Sequence, residues 1–334
     1  MAISVPERSY VVYGGELSYF TRKLTAALDF YDAAYELRSK DAGVREEVEA
    51  RSGTHQVPVL HTPENWMIAD TTPLLELLDA RFPGRRLFPA GPLGVLVHLV
   101  EEFFDEWVAR TMVHFRWHFP RSAEFAALRM AGGDAEAAAR VAAWGPRACR
   151  ATGTESRTQQ RAAEDEYRRI LDAAEQQLAR TRFLLGDRPT AADCIMLGGL
   201  RGHVNMDPDP KEILAAYPRV VAWAERDARR WDGGGSVAPF PASTPFAALV
   251  LTELRDHYLP VLRANVDALA AGAKGFSAQC YGEPVSFLSR PYPVRSWQLV
   301  QRRVAHLEPE ERRTVLGWAE ALGLADGLTM PIGR

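Results

Sequence analysis

The stretch Gln56-Val57-Pro58-Val59-Leu60, and the pair Asp70-Thr71 after it, are where this chain places groups able to hold a ligand. Proline cannot donate to a sheet ladder and sits at strand starts, edges or bulges. Pro58 at the head of an apolar strand therefore leaves the peptide groups of the preceding residue free for another partner. A cis Val57–Pro58 bond would be a built feature, since cis costs about 0.5–1 kcal/mol even before proline. A short strand, Trp66-Met67-Ile68, comes next, and Asp70-Thr71 opens the apolar helix Pro73-Leu74-Leu75-Glu76-Leu77-Leu78. A helix start carries unpaired N–H groups and partial positive charge, so it can hold a carboxylate. Unpaired strand backbone beside it describes a site for something peptide-like and anionic. Ser18 follows the Gly14-Gly15 turn and can cap the next helix, a role worth ~1 kcal/mol.

The elements that must position these groups are readable around them. Tyr10-Val11-Val12-Tyr13 is a β-branched and aromatic strand stopped by the glycines. A helix from about Ser18 to Ala33 puts Phe20, Leu24, Ala27, Leu28 and Tyr31 on one face. Tyr35-Glu36-Leu37-Arg38 makes a second strand, and Val44 to Arg51 a charged helix before the proline strand.

Over roughly residues 9–90, and more loosely to about 231, these features resemble the glutathione transferase family. The resemblance implies an α/β thioredoxin-like N-terminal domain followed by an all-α C-terminal domain, here with a mostly helical C-terminal extension. The chain would be an atypical, bacterial-looking member with domains 1–84, 93–232 and 236–334. In the family a cis-proline loop pairs with the cysteinyl backbone of glutathione, the co-substrate, which assigns Val57 and Pro58. An acid and a hydroxyl at the next helix start hold the γ-glutamyl end, which assigns Asp70 and Thr71. Gln56 stands near the position facing the glycyl carboxylate, where His55 could assist. Ser18-Tyr19-Phe20-Thr21-Arg22-Lys23 matches the common Ser-Pro-Tyr-Cys-Arg-Lys pattern and puts Ser18 at the catalytic position. A free thiol with pKa ~8.5 is mostly protonated at neutral pH, and a hydroxyl donor beside a helix N-terminus stabilises the thiolate. Tyr10 and Tyr13 are rival thiol partners, read first as core. Tyr19 and Thr21 replace the usual proline and cysteine, so a resolving thiol is absent, and Asp70-Thr71 replaces the commoner Glu-Ser.

Phe82 to Pro92 is a proline- and glycine-rich linker. The following helix, Leu93 to about Phe119, has an apolar seam through Val97, Phe104, Val108, Met112, Phe115 and Phe119. The neighbouring seam carries Arg110, His114 and Trp117, which the resemblance assigns to the second-substrate pocket; the plain alternative leaves Arg110 and His114 at solvent. His98, Glu102 and Asp105 read as a solvated or dimer-facing stripe. His114 and His118 lack a third ligand, so no metal is expected. Residues 131–156 read as a short helix and a loose loop. Glu164 to Thr181 is a strong helix, and Thr190 with Asp193 forms a capping-box-like pair leading a buried helix. In the extension, Phe246 to Ala271 is helical with a possible kink at Pro260. Phe276 to Phe287 suits a hairpin around Gly282, and helices follow over about Val294–His306 and Pro309–Leu322. No chemistry is legible there; it could cover the second-substrate pocket, enlarge a dimer contact or bind a partner.

The bounds agree with an enzyme of small molecules. With 334 residues and 47% hydrophobic content, full cores and more than one domain are expected. A net charge of −3 of mixed distribution argues against nucleic acid. Cys149, Cys194 and Cys280 have no metal or disulfide spacing. Met1 to Tyr10, with Pro6, Glu7 and Arg8, lacks the apolar core of a signal peptide, and no apolar run approaches the ~20 residues of a membrane helix. A cytoplasmic place is expected. The partners expected are a small hydrophobic electrophile and, through the resemblance, a second copy in a homodimer. Two alternatives stand beside the transferase: a non-catalytic binding or protein-interaction module, and a glutathione-dependent isomerase or ether-cleaving lyase.

Overall fold

A computed structural model describes residues 9–332; the opening stretch with Pro6, Glu7 and Arg8 lies outside them. Strands β1 (Tyr10–Tyr13), β2 (Tyr35–Arg38), β3 (Val59–His61) and β4 (Met67–Ala69) form one sheet in the order β2-β1-β3-β4. β1 runs parallel to β2 and antiparallel to β3, and β3 is antiparallel to β4. With helices α1 (Tyr19–Tyr31), α2 (Arg45–Ser52) and α3 (Thr71–Arg81) this is the thioredoxin-like order. Every residue of β1 is buried, as its composition requires.

The linker leads into α4 (Gly91–Glu102), a π-helical stretch Phe103–Val108, and α5 (Ala109–Trp117). One long helix was expected here; the π turn widens it where its acidic residues sit, a distortion frequent at functional sites. Residues 131–156, read as one short helix and a loose loop, hold two short helices after α6 (Pro120–Met130): α7 (Ala135–Ala142) and α8 (Gly145–Ala151). Their alanines favour helix more than the glycines oppose it. The helical layer is completed by α9 (Arg157–Leu178), α10 (Ala191–Gly199), α11 (Pro208–Ile213) and α12 (Pro218–Glu225). Thr190 and Asp193 form the capping box at α10, and burial pushes the Asp193 carboxyl up to about 6. α10 lies against α1 so closely that a side chain at Gly198 would place its Cβ 2.7 Å from the Tyr19 carbonyl oxygen.

The extension comprises α13 (Pro245–Glu253), a π stretch Leu254–Tyr258, α14 (Leu259–Ala270), the hairpin β5 (Gly275–Cys280) with β6 (Glu283–Leu288), and α15 (Pro291–Ala305), α16 (Pro309–Ala321) and α17 (Ala325–Thr329). The widened turn just before Pro260 accommodates the missing N–H there. The hairpin turns at Tyr281 and Gly282, both with positive φ. A continuous apolar core runs from Val12 and Leu24 through Phe104 and Ile195 to Trp297 and Val315, joining the extension to the rest.

The packing overturns two expectations. His98, Glu102 and Asp105 are not a solvated stripe: they are 0%, 0% and 3% exposed. Arg303 of α15 donates to His98 Nδ1 at 3.1 Å, while Tyr258 and Ser296 donate to Glu102 at 2.7 and 2.5 Å. Arg110 and His114 do not reach solvent either, at 4% and 1% exposed. Glu166 and Glu164 on α9 meet Arg110 and His114 respectively, because a buried polar group needs a partner.

Candidate functional site

A cavity of about 680 Å³ opens between the thioredoxin-like part, the π stretch of the long helix and the extension. Its first wall is the loop before β3. The Val57–Pro58 bond is cis. Lys40 braces the loop, its Nζ donating to the carbonyls of His55 at 2.5 Å and Gln56 at 3.1 Å. Among the described residues, nothing pairs with the peptide N–H or C=O of Val57. Gln56, Val57 and Pro58 all line the cavity, and so do Asp70 and Thr71 at the start of α3.

Asp70 has φ 72°, a left-handed conformation that costs a non-glycine residue about 1–3 kcal/mol and tends to mark functional sites. Its Oδ1 accepts a hydrogen bond from the Tyr292 hydroxyl at 2.9 Å. Burial raises the Asp70 carboxyl above its usual range, and the Tyr292 bond works against that rise. Beneath Thr71, Lys23 is fully buried with its Nζ on Glu101, on Asp105 at 2.6 Å and on Thr72 Oγ1 at 2.9 Å. This knot ties α1, α3 and the long helix together at the cavity floor.

The helical wall presents Phe20, Asp105, Glu106, Trp107, Arg110 and Val113. Glu106 has neither a hydrogen bond nor an ion pair among the described residues. Burial and then the Asp105 charge push its carboxyl up to about 8, with Arg290 pulling the other way. Arg110 stacks over the Trp107 ring at 4.2 Å. Its Nη2 donates to Glu166 Oε2 at 3.2 Å, and Trp107 Nε1 donates to the same oxygen at 2.9 Å. Tyr281, at the hairpin turn, donates to Glu166 as well. Leu288, Arg290, Tyr292 and Arg295 complete the enclosure from the extension.

Ser18 caps α1, its Oγ accepting the Thr21 N–H at 3.2 Å, and is half-buried. It is not among the residues lining the cavity, although Phe20 two positions later is. His114 and Trp117 also stand outside the lining. His114 faces Glu164 at 3.0 Å, and Trp117 packs edge-on against Trp144 at 5.8 Å. Tyr10 and Tyr13 are core residues at 6% and 1% exposed. The expected residues thus brought together are Gln56, Val57, Pro58, Asp70, Thr71 and Arg110. Sequence reasoning missed Glu106, Arg290, Tyr292 and Arg295. The one available signal was Arg290-Pro291-Tyr292-Pro293, an aromatic fixed between prolines at a helix start. The extension thus carries polar groups into the site, a role the sequence by itself leaves open. Among the described residues no group of three or more histidine, cysteine or acidic side chains could hold a metal ion, and no helix is long and apolar enough to cross a membrane.

Two sequence profiles match the chain. "Glutathione S-transferase, N-terminal domain" covers residues 12–86, and "Glutathione S-transferase, C-terminal domain" covers residues 119–230. The sequence finds no match among curated proteins. Solved structures of similar fold include a glutathione S-transferase from Rhodospirillum rubrum F11, at 22% identity and TM-score 0.46, covering 72% of this chain and 99% of that one. The β-etherase LigF from Sphingobium sp. strain SYK-6 aligns at 16% identity and TM-score 0.49, over 66% of this chain and 97% of its own. A glutathione S-transferase from Methylobacillus flagellatus KT with glutathione bound aligns at 16% and 0.44, over 68% of this chain and 100% of its own.

Proposed function

Since the chain belongs to the glutathione S-transferase superfamily, we propose that it binds glutathione in the cavity beside Pro58 and uses the thiolate on an electrophile with a hydrophobic body. The observation that carries this is the Val57 peptide, without a partner among the described residues, sharing a cavity with Pro58 and the α3 N-terminus. The cysteinyl backbone of glutathione pairs with the Val57 peptide at the head of β3. The γ-glutamyl carboxylate meets the Thr71 hydroxyl and the first N–H groups of α3, while its ammonium meets Asp70. Gln56 faces the glycyl end. Ser18 accepts from Thr21 and so keeps its own proton to donate to the sulfur. That bond and the α1 N-terminus lower the thiol pKa, and holding the electrophile against Trp107 and Arg110 supplies proximity. Of the three residues assigned to the second substrate, Arg110 stands in the wall, while His114 and Trp117 are outside the lining.

A second reading has its own support: Tyr292 already satisfies Asp70, and Ser18 stands outside the lining. On that reading the site binds a ligand without activating it. Calorimetric titration with glutathione, followed by ultraviolet absorbance of the bound thiolate against pH, separates the two. Binding with a depressed thiol pKa that reverts in Ser18→Ala supports the transferase. Binding with an ordinary thiol pKa supports the module, and no binding removes both.

A further inference from the structure

Three guanidinium groups line the cavity, those of Arg110, Arg290 and Arg295. Arg110 is 4% exposed, and its Nε, buried, has no hydrogen-bond partner. A guanidinium offers five N–H donors in a rigid fork, stays charged, and is destabilised by a buried donor left unmet. Glu166 balances the Arg110 charge, so what Arg110 adds to the cavity is directed donors. Net positive charge comes from Arg290 and Arg295, whose side chains have no ion pair or hydrogen bond among the described residues.

Of the acids in the same cavity, Asp105 is paired with Lys23, while Asp70 keeps its charge beside the Tyr292 hydroxyl and stands at the α3 start, where the glutathione ammonium is proposed to meet it. Burial and the Asp105 charge push the Glu106 carboxyl up to about 8, toward its protonated form at neutral pH. Apolar side chains fill the space between: Phe20, Trp107, Val261, Leu262, Phe276 and Phe287. Such a lining suits a flat apolar body with one anionic end.

Building on the transferase reading, we infer that the second substrate is an anionic aromatic electrophile whose carboxylate is held on the arginine side of the cavity, by the spare donors of Arg110 and the charges of Arg290 and Arg295. With 4-chloro-3-nitrobenzoate as the probe, the glutathione thiolate attacks the ring carbon bearing chlorine. The S–C bond forms, the C–Cl bond breaks and chloride leaves with its electron pair, so no further reactant is needed.

The test compares 4-chloro-3-nitrobenzoate with the neutral 4-chloro-3-nitrobenzamide on the full chain. Calorimetry without glutathione reads the anion site by itself. The acid is expected to bind about tenfold more tightly, the size of one good charge-assisted contact. That preference should shrink in the surface double variant Arg290→Gln/Arg295→Gln, and with added salt. Arg110→Lys, which keeps the charge and loses the fork, should weaken the acid and spare the amide. Equal affinities, no binding of either, or a preference untouched by these variants overturn the inference. Steady-state conjugation with glutathione then separates this inference from the reading beneath it. Acid preference in binding without turnover leaves the anion site standing and removes the transferase; turnover with no acid preference does the reverse.

Discussion

The cavity has two walls of different origin. One comes from a single short run, residues 56–71, where a proline, a strand start and a helix start follow in order. The other is assembled from the π stretch near residue 106, the hairpin, and the first turn of α15 near residue 292. The first wall is made of backbone groups whose exposure follows from local rules: proline cannot donate, and helix starts leave N–H groups unpaired. The second is made of side chains that meet only because the extension packs over α4. One wall is written locally, while the other is decided by packing.

The largest effect is expected where the walls are tied together. Lys23→Met leaves Glu101 and Asp105 buried without their cation, and should cost about 3–5 kcal/mol in chemical denaturation. A loss below ~1 kcal/mol would mean the floor is wet and the walls independent. Next is the seam between α4 and the extension. Tyr258→Phe takes one donor from Glu102 and should cost about 1–3 kcal/mol, the penalty for a buried acceptor left short of partners. No change would show that the extension does not hold α4.

The acids give a pH signature of the packed wall. Burial pushes Glu101 up to about 7 and Glu106 to about 8 from 4.5. Between those values the folded chain keeps protons that the unfolded chain has released, so their contribution is complete below about pH 4.5 and is lost as pH rises toward 8. Thermal melts from pH 5 to 8 should show that fall, and Glu106→Gln should flatten it. A slope unchanged in the variant would place the Glu106 carboxyl in ordinary solvent. The smallest expected stability change is that of Tyr292→Phe, within about 1 kcal/mol. Its value lies in binding: releasing Asp70 should strengthen glutathione binding if the tyrosine competes for the acid. Weaker binding would make Tyr292 part of the ligand site.

The α1 cap at Ser18, the capping box at Thr190 and the hairpin at Gly282 were legible because each rests on neighbours in sequence. The α4 stripe was misread for the opposite reason. His98, Glu102 and Asp105 have the spacing of a polar face, and nothing within the helix says that Arg303, Tyr258, Ser296 and Lys23 will arrive to bury it. His114 and Trp117 share a helical seam with Arg110, yet only Arg110 lines the cavity. Helical periodicity fixes which side of a helix a residue occupies, not which neighbour that side will meet.

The sequence by itself determined the thioredoxin-like order, the proline loop and the helix start that together offer a peptide-binding edge. Proline chemistry and helix ends are properties of a few adjacent residues, and they survive without knowing the rest of the chain. Only the tertiary structure decided that Asp70 is met by Tyr292, that Glu106 has no hydrogen bond or ion pair among the described residues, and that arginines from the far end of the chain close the cavity. Those outcomes depend on which surfaces exclude water together, a matter settled between segments some two hundred residues apart.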